Sequence, residues 1–310
     1  MEYYICENGD RMPLLGLGTW QSEPEKLYEA VLTAVRAGYR HIDCAYVYQN
    51  EEAVGRALKY LIDNGEVRRE ELWITSKLWN SFHRREQVIP ALRHTLASLQ
   101  LDYLDMYLVH WPLVFCEGVM FPQSVADLVS LSEIPIAQTW SGMEEAHREK
   151  LTRHIGVSNF SIKKLKELLA TCAVRPENNQ IELNPYLQQP ALVDYCLAEN
   201  IAVTAFSPLG KGDQAFKDGL NLYRDPVIVR TAQEQHATPA QVLLRWAIQK
   251  GIAVIPKSVT PSRIRENFEA VNLVLTTDQM AAIDRLDRHH RMSGGWNYGG
   301  EFTLANLWDE

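Results

Sequence analysis

Short apolar runs and amphipathic helical segments alternate eight times along this chain of 310 residues. The runs fall at 15–18, 39–43, 72–77, 105–110, 154–157, 180–183, 201–206 and 252–255. Near-continuous apolar runs of this length read as strands buried on both faces, the habit of parallel sheets. Between the first two runs, Leu27, Ala30, Val31, Ala34 and Val35 share one face of a 3.6-residue period. Ser22 is expected to cap that helix with Glu25 as capping-box partner, and Gly38 to end it. Further helices are expected at 50–62, 86–99, 137–150, 162–171, 190–199 and 261–270, with two more between the last two strands. Ahead of the alternation, Asn8-Gly9-Asp10 joins 4–6 to 11–14 as a hairpin. The expected fold is α/β: a (β/α)8 TIM barrel in one domain, residues 1–310, with an N-terminal β-hairpin and long loops at the C-terminal face. An open doubly wound sheet is the competing arrangement. It is disfavoured because Gly16-Leu17-Gly18 lacks the third glycine of a dinucleotide fingerprint.

A net charge of -8 argues against a general nucleic-acid or membrane-surface binder. Cys6, Cys44, Cys116, Cys172 and Cys196 are scattered, without a CxxC pair, so no metal knuckle or disulfide framework is indicated. The N-terminus carries no apolar targeting segment, and no apolar run reaches the ~18 residues of a membrane span. These features read as a reduced, cytoplasmic protein.

Asp43, Lys77 and His110 each close one of the apolar runs, and Tyr48 follows such a run by five residues. In a parallel barrel these strand ends share one face, where active sites sit. A free phenol, with a pKa of ~10, is a poor acid near neutrality. A neighbouring ammonium would lower that pKa, and Asp43 would keep Lys77 charged. His110 would then orient a substrate oxygen. Proton donation to oxygen without a metal or a nucleophilic Ser or Cys suits carbonyl reduction, which requires a hydride source and hence a nicotinamide cofactor. Taken singly, each residue has a plainer reading. Asp43–Lys77 could be a structural ion pair, Lys77 a Schiff-base lysine, His110 a core histidine, and Tyr48 a loop aromatic.

The motifs Gly16-Leu17-Gly18-Thr19-Trp20, Gly38-Tyr39-Arg40-His41-Ile42-Asp43, Ser76-Lys77-Leu78-Trp79, His110-Trp111-Pro112, Gly156-Val157-Ser158-Asn159-Phe160, Asn179-Gln180-Ile181-Glu182, Ser207-Pro208-Leu209-Gly210 and Ile255-Pro256-Lys257-Ser258-Val259-Thr260-Pro261 resemble those of the aldo-keto reductase family. The likeness is greatest to its aldose reductase-like branch. It covers roughly residues 4–290 and fails over the last twenty. The resemblance implies a monomeric enzyme that reduces aldehydes or ketones with NADPH. Tyr48 would be the proton donor, Lys77 and Asp43 would tune it, and His110 would orient the carbonyl. Ser158, Asn159 and Gln180 would bond the nicotinamide carboxamide. Phe206 stands where the family has a stacking tyrosine. Gly18, Thr19, Trp20, Asp43, Ser207, Leu209, Asp213 and Val259 would also line the cofactor. The family latches the loop after the seventh strand through an aspartate, here Asp213, and two lysines. One matches Lys257, and the other is Gln21 here.

Thr260 is expected to cap the helix after the eighth strand, with Pro261 in its first turn. A helix N-terminus flanked by Lys257, Ser258, Arg263 and Arg265 suits a phosphate. The resemblance makes it the 2'-phosphate of NADPH, with Glu266 and Asn267 near the adenine. The long segment 111–136, with Phe115 and Phe121, would combine with Trp20, Val47, Trp79 and Trp111 into an aromatic pocket around Tyr48 and His110. Trp73 is expected in the core. The glycine-rich stretch 291–300 departs from the family pattern, and Trp296 is the substrate contact expected there. Small aldehydes are the leading substrate class. Prostaglandin- or steroid-like ketones are the second reading, and an NADPH-binding redox-sensing subunit is the reading from another class.

Overall fold

The computed structural model describes residues 2–212, 214, 219–293, 295 and 297–309. Strands β1 (Tyr3–Ile5) and β2 (Arg11–Pro13) form the expected antiparallel hairpin. Eight parallel strands then pair in chain order: β3 (Leu17–Gly18), β4 (His41–Asp43), β5 (Trp73–Leu78), β6 (Leu104–Val109), β9 (Thr152–Ser158), β10 (Asn178–Glu182), β11 (Ala202–Phe206) and β12 (Ala253–Val254). Leu15 bridges Val254 in parallel, and the Gly16 N–H donates to the Val254 carbonyl at 2.8 Å, so the first strand meets the last. The sheet therefore closes into a barrel with no open edge to protect.

Helices α1 (Pro24–Ala37), α2 (Glu51–Asp63), α3 (Arg85–Leu99), α4 (Ile136–Arg148), α5 (Ile162–Leu169), α6 (Pro190–Ala198), α7 (Pro226–Glu234), α8 (Pro239–Gln249) and α9 (Pro261–Phe268) surround it. Each turns an apolar stripe inward; in α1, Leu27, Ala30, Val31, Ala34 and Val35 are all buried. Gly38 ends α1 in the left-handed region, at φ 112°. No helix among the described residues is long and apolar enough to cross a membrane.

The parallel register decides where chemistry can occur. Gly18 pairs with Asp43, Asp43 with Thr75, Lys77 with Leu108, Val109 with Val157, and Gln180 with Ser158. All the strand ends that carry polar side chains thus emerge at one mouth. The hairpin covers the other mouth. Pro13 offers its carbonyl to His41 Nδ1 at 3.1 Å, and Asp10 pairs with Arg153 at 2.5 Å. His154 lies between Asp10 (2.9 Å) and Glu177 (2.8 Å), stacked on Trp73 at 5.0 Å. Burial pulls the His154 imidazole down, but its two carboxylate partners outweigh that and hold it above its ordinary value. The Cys6 sulfur also lies within 4.8 Å of His154 and Glu177. With both His154 nitrogens taken by carboxylates, the cluster reads as an ionic plug.

Several expectations need correction. Glu23, not Ser22, stands at the start of α1, with Pro24 as first helical residue; the Ser22 hydroxyl is buried without a partner. Proline's fixed φ supplies the helical start that a side-chain cap would otherwise provide. Thr260 does precede α9, but its side chain makes no capping bond; Ser258 Oγ accepts the Thr260 N–H instead, at 3.2 Å. Segment 111–136 contains a second small hairpin, β7 (Val114–Phe115) with β8 (Leu128–Val129). Two further helices, α10 (Thr277–Asp284) and α11 (Leu304–Trp308), follow the barrel.

Candidate active site

Asp43 is the last residue of β4, Lys77 the penultimate residue of β5, and His110 the first after β6. Tyr48 ends a 3-10 turn, Tyr46–Tyr48, that follows β4. Strand pairing brings the four together. Lys77 Nζ, fully buried, donates to Asp43 Oδ1 and, at 2.8 Å, to the Cys44 carbonyl, and lies 3.5 Å from Tyr48 Oη. A buried ammonium is tolerable only with such partners. Burial pulls the Lys77 ammonium down, but Asp43 and Tyr48 more than offset this, so it stays charged.

Asp43 is completed by a residue far away in sequence. Gln180 Nε2 donates to Asp43 Oδ2 at 2.7 Å, so each carboxylate oxygen has its own donor. This leaves the Gln180 amide its Oε1 and its second N–H. Thr19 is wholly buried, with its hydroxyl bonded to the Asp43 carbonyl at 2.8 Å and its own carbonyl bonded by Asn50 Nδ2 at 2.9 Å. Its hydroxyl helps to hold β4 in place, because a buried hydroxyl must spend its proton on the nearest acceptor.

The His110 ring stands edge-on to Trp79 (5.1 Å) and Tyr48 (5.9 Å). Burial, and then Lys77, push its pKa well below the ordinary imidazole value. The ring is neutral at physiological pH and offers one N–H. Burial also acts on Tyr48, pushing the phenol up to about 12 against the lowering pull of Lys77. The expected net lowering does not occur, because desolvation of the phenolate outweighs attraction to an ammonium already shared with Asp43.

Beside these groups, β9 ends in Ser158, and Asn159 follows it. Ser158 Oγ donates to the Gln180 carbonyl at 2.8 Å, and Asn159 Nδ2 donates to the His110 carbonyl at 3.0 Å. Asn159 turns the chain at φ 65°, in the left-handed region that Asn tolerates. Its Oδ1 is buried with no hydrogen-bond partner. An orphaned buried acceptor next to Ser158 and Gln180 fits the N–H of a carboxamide. Phe206, half-buried, closes β11, and Ser207 and Leu209 follow it. Across the barrel seam Lys257 bridges Gly18, and Lys257, Arg263 and Arg265 are exposed around the start of α9, with Ser258 and Val259 half-buried beside them. Glu266 accepts a bond at 2.8 Å from Thr238, the N-cap of α8, and so ties α9 to α8; Asn267 is buried. Asp213 and Trp296 lie outside the described residues.

Aromatic side chains gather beside Tyr48 and His110. Trp20, exposed at the rim, lies 4.8 Å from Tyr48 between ring centres. Val47, Trp79, Trp111 and Phe115 are buried in one cluster. Trp79 Nε1 donates to the Met120 carbonyl at 2.9 Å, and Phe121, half exposed, packs 5.9 Å from Trp79. The cluster includes a residue the sequence reading did not single out, Leu307 of α11, with Trp308 against Trp111 at 5.8 Å. The apolar face of a helix as short as Leu304–Trp308 was the only available signal, and it is too short to establish a period.

Comparison with known proteins gives a consistent result. The model of the Aldo/keto reductase family matches residues 14–288. The chain is 48% identical over 317 residues to Aldo/keto reductase slr0942 of Synechocystis sp., covering 100% of this chain and 97% of that protein. It is 43% identical over 291 residues to Aldo-keto reductase family 1 member A1 of Bos taurus, covering 93% and 90%. Among solved structures, the aldose reductase of Schistosoma japonicum superposes with a TM-score of 0.87 at 38% identity, covering 96% of this chain and 98% of that one.

Proposed function

The chain belongs to the aldo-keto reductase family and is an oxidoreductase of that type, and from that premise we propose that it reduces small aldehydes to alcohols with NADPH, taking the proton from Tyr48. The observation that carries this reading is the buried chain of contacts from Gln180 through Asp43 and Lys77 to the Tyr48 hydroxyl, with neutral His110 beside it. NADPH supplies the hydride to the carbonyl carbon. His110 donates a hydrogen bond to the carbonyl oxygen and orients it. Tyr48 releases its proton to that oxygen as negative charge develops there, and Lys77 stabilises the phenolate left behind. Asp43 keeps Lys77 charged, and solvent restores the phenol.

Support for the cofactor comes from side chains. The unpartnered Asn159 Oδ1 suits the carboxamide, and the Phe206 ring at the end of β11 offers a face for stacking. Lys257, Ser258 and Arg263 at the start of α9 suit a 2'-phosphate. Small substrates are favoured because Leu307 packs into the aromatic cluster beside Tyr48, with Trp308 against Trp111, which weighs against prostaglandin- or steroid-sized ketones. NADPH oxidation followed by absorbance with glyceraldehyde, xylose and a panel of bulky ketones tests the proposal. Turnover is expected with the small aldehydes. Absence of turnover with every aldehyde and ketone would reject it.

A further inference from the structure

We propose that Lys164 and Asp309 form a latch that positions Leu307 and Trp308 as one wall of the carbonyl pocket; this rests on the reductase reading of that pocket. Lys164 lies in the first turn of α5 and is 6% exposed. Its Nζ donates to the Asn306 carbonyl (2.7 Å), the Leu307 carbonyl (3.0 Å) and Asp309 Oδ2 (2.6 Å). Ser161, the N-cap of α5, accepts the Lys164 N–H at 3.2 Å and donates its hydroxyl to the same Asp309 oxygen. One buried ammonium thus binds both carbonyls at the end of α11 and the carboxylate that follows them.

The tail needs such an anchor. Helix α11 has five residues, too few to stand alone in water. Its last carbonyls have no partners within the helix, and a cation at a helix C-terminus is the favourable way to satisfy them. Among the described residues the tail is also tied by the Met292 and Ser293 N–H groups to the Glu182 carboxylate (2.8 and 2.7 Å), by Ser130 Oγ to Glu301 at 2.9 Å, and by Tyr298 Oη to the Pro122 carbonyl at 2.5 Å. The Lys164 contacts fall on the last turn of α11, on the carbonyls of Asn306 and Leu307, while Lys163 lies 3.4 Å from the other Asp309 oxygen. Leu307 is 3% exposed among Val47, Trp79, Trp111 and Phe115, and the Arg291 guanidinium lies 3.8 Å over the Trp308 ring. A side chain at Gly295 would press on Leu307 Cδ2, so this part of the tail runs directly over the leucine. The latch starts two residues after Asn159, so the substrate wall hangs from the same turn that carries the carboxamide contacts.

The test compares Lys164→Met and Asp309→Asn with wild type. The first removes the cation. The second keeps an acceptor oxygen, and it lies outside the barrel strands. Amide exchange over residues 304–308 is expected to speed up roughly tenfold or more in Lys164→Met and by less in Asp309→Asn. KM for benzaldehyde should rise roughly tenfold in Lys164→Met with kcat within about twofold, because the wall contributes uniform binding rather than transition-state contacts. NADPH affinity should not change, and Lys164→Arg, which retains the cation, should recover most of the KM. Unchanged exchange in both Lys164→Met and Asp309→Asn overturns the latch. Faster exchange with an unchanged benzaldehyde KM overturns the assignment of this wall to substrate binding. A wild-type protein that turns over no carbonyl compound would instead defeat the reductase reading, while the exchange measurement, which needs no substrate, would still decide the latch.

Discussion

Burial pushes the Tyr48 phenol up to about 12, although Lys77 lies only 3.5 Å away and acts to lower it. In the proposed reaction Tyr48 would therefore enter protonated, which is the form carbonyl reduction requires. kcat/KM for reduction should be flat from about pH 6 to about pH 9, while alcohol oxidation, which needs the phenolate, should rise across that range. Parallel pH profiles in the two directions check this; a reduction limb that falls near neutrality would contradict it. Neutral His110 adds no acid limb there, because burial and Lys77 both lower its pKa. Behind Lys77 sits Glu51, buried at the start of α2, with its two oxygens accepting from Ser76 Oγ (2.6 Å) and Thr95 Oγ1 (3.1 Å). Burial raises its carboxyl to about 7 despite those bonds. A raised folded pKa means the unfolded chain releases this proton first. The native state thus loses stability as pH rises from the unfolded value of ~4.3 and bears the full penalty above about 7. Glu51→Gln should raise the melting temperature at pH 8 and change it little at pH 4, since hydroxyl partners can reverse their donor role. A variant equally or less stable at pH 8 would show that the carboxylate is better solvated than its burial implies.

At the scale of elements, the packing of α2 on α3 depends on Gly55. A Cβ there would run into the Ser98 carbonyl oxygen and lie 2.7 Å from the Leu99 carbonyl carbon. Alanine is the better helix former by about 1 kcal/mol, yet overpacking against rigid backbone costs about 1–3 kcal/mol. Gly55→Ala should therefore lower the denaturant midpoint, and a midpoint equal to or above wild type would show that the helices can part without cost. The barrel elements were legible because each carries its own signal, a buried strand or an amphipathic face followed by a stop such as Gly38. Asp43, Tyr48, Lys77 and His110 were legible because their positions follow from those strand ends. What was not legible depends on distant partners. Gln180 meets Asp43 across 137 residues, and no local pattern announces that its amide completes the carboxylate. The β7–β8 hairpin has two residues per strand and α11 has five, too short for periodicity, so both are set by what they pack against. Ser22 failed as a cap because Pro24 made one unnecessary.

For the molecule as a whole, closure of the sheet puts Tyr48, the unpartnered Asn159 acceptor and the basic start of α9 around one mouth, while the hairpin and the His154 plug seal the other. A dinucleotide spanning that mouth would reach from Asn159 to Arg263. Each charge-assisted contact to its 2'-phosphate is worth about 1.5–3 kcal/mol, so Arg263→Ala should weaken NADPH roughly ten- to hundredfold and NADH far less. Equal losses for the two, measured by fluorescence titration, would remove Arg263 from phosphate recognition. The central claim is that hydride from NADPH and a proton from Tyr48 meet at one carbonyl. A single-turnover experiment addresses it directly, with NADPH-loaded wild type and Tyr48→Phe mixed with an aldehyde and NADPH oxidation followed in time. The account predicts that Tyr48→Phe binds NADPH as wild type does but oxidises it ~10²–10⁴-fold more slowly. Oxidation in Tyr48→Phe at close to the wild-type rate would contradict it.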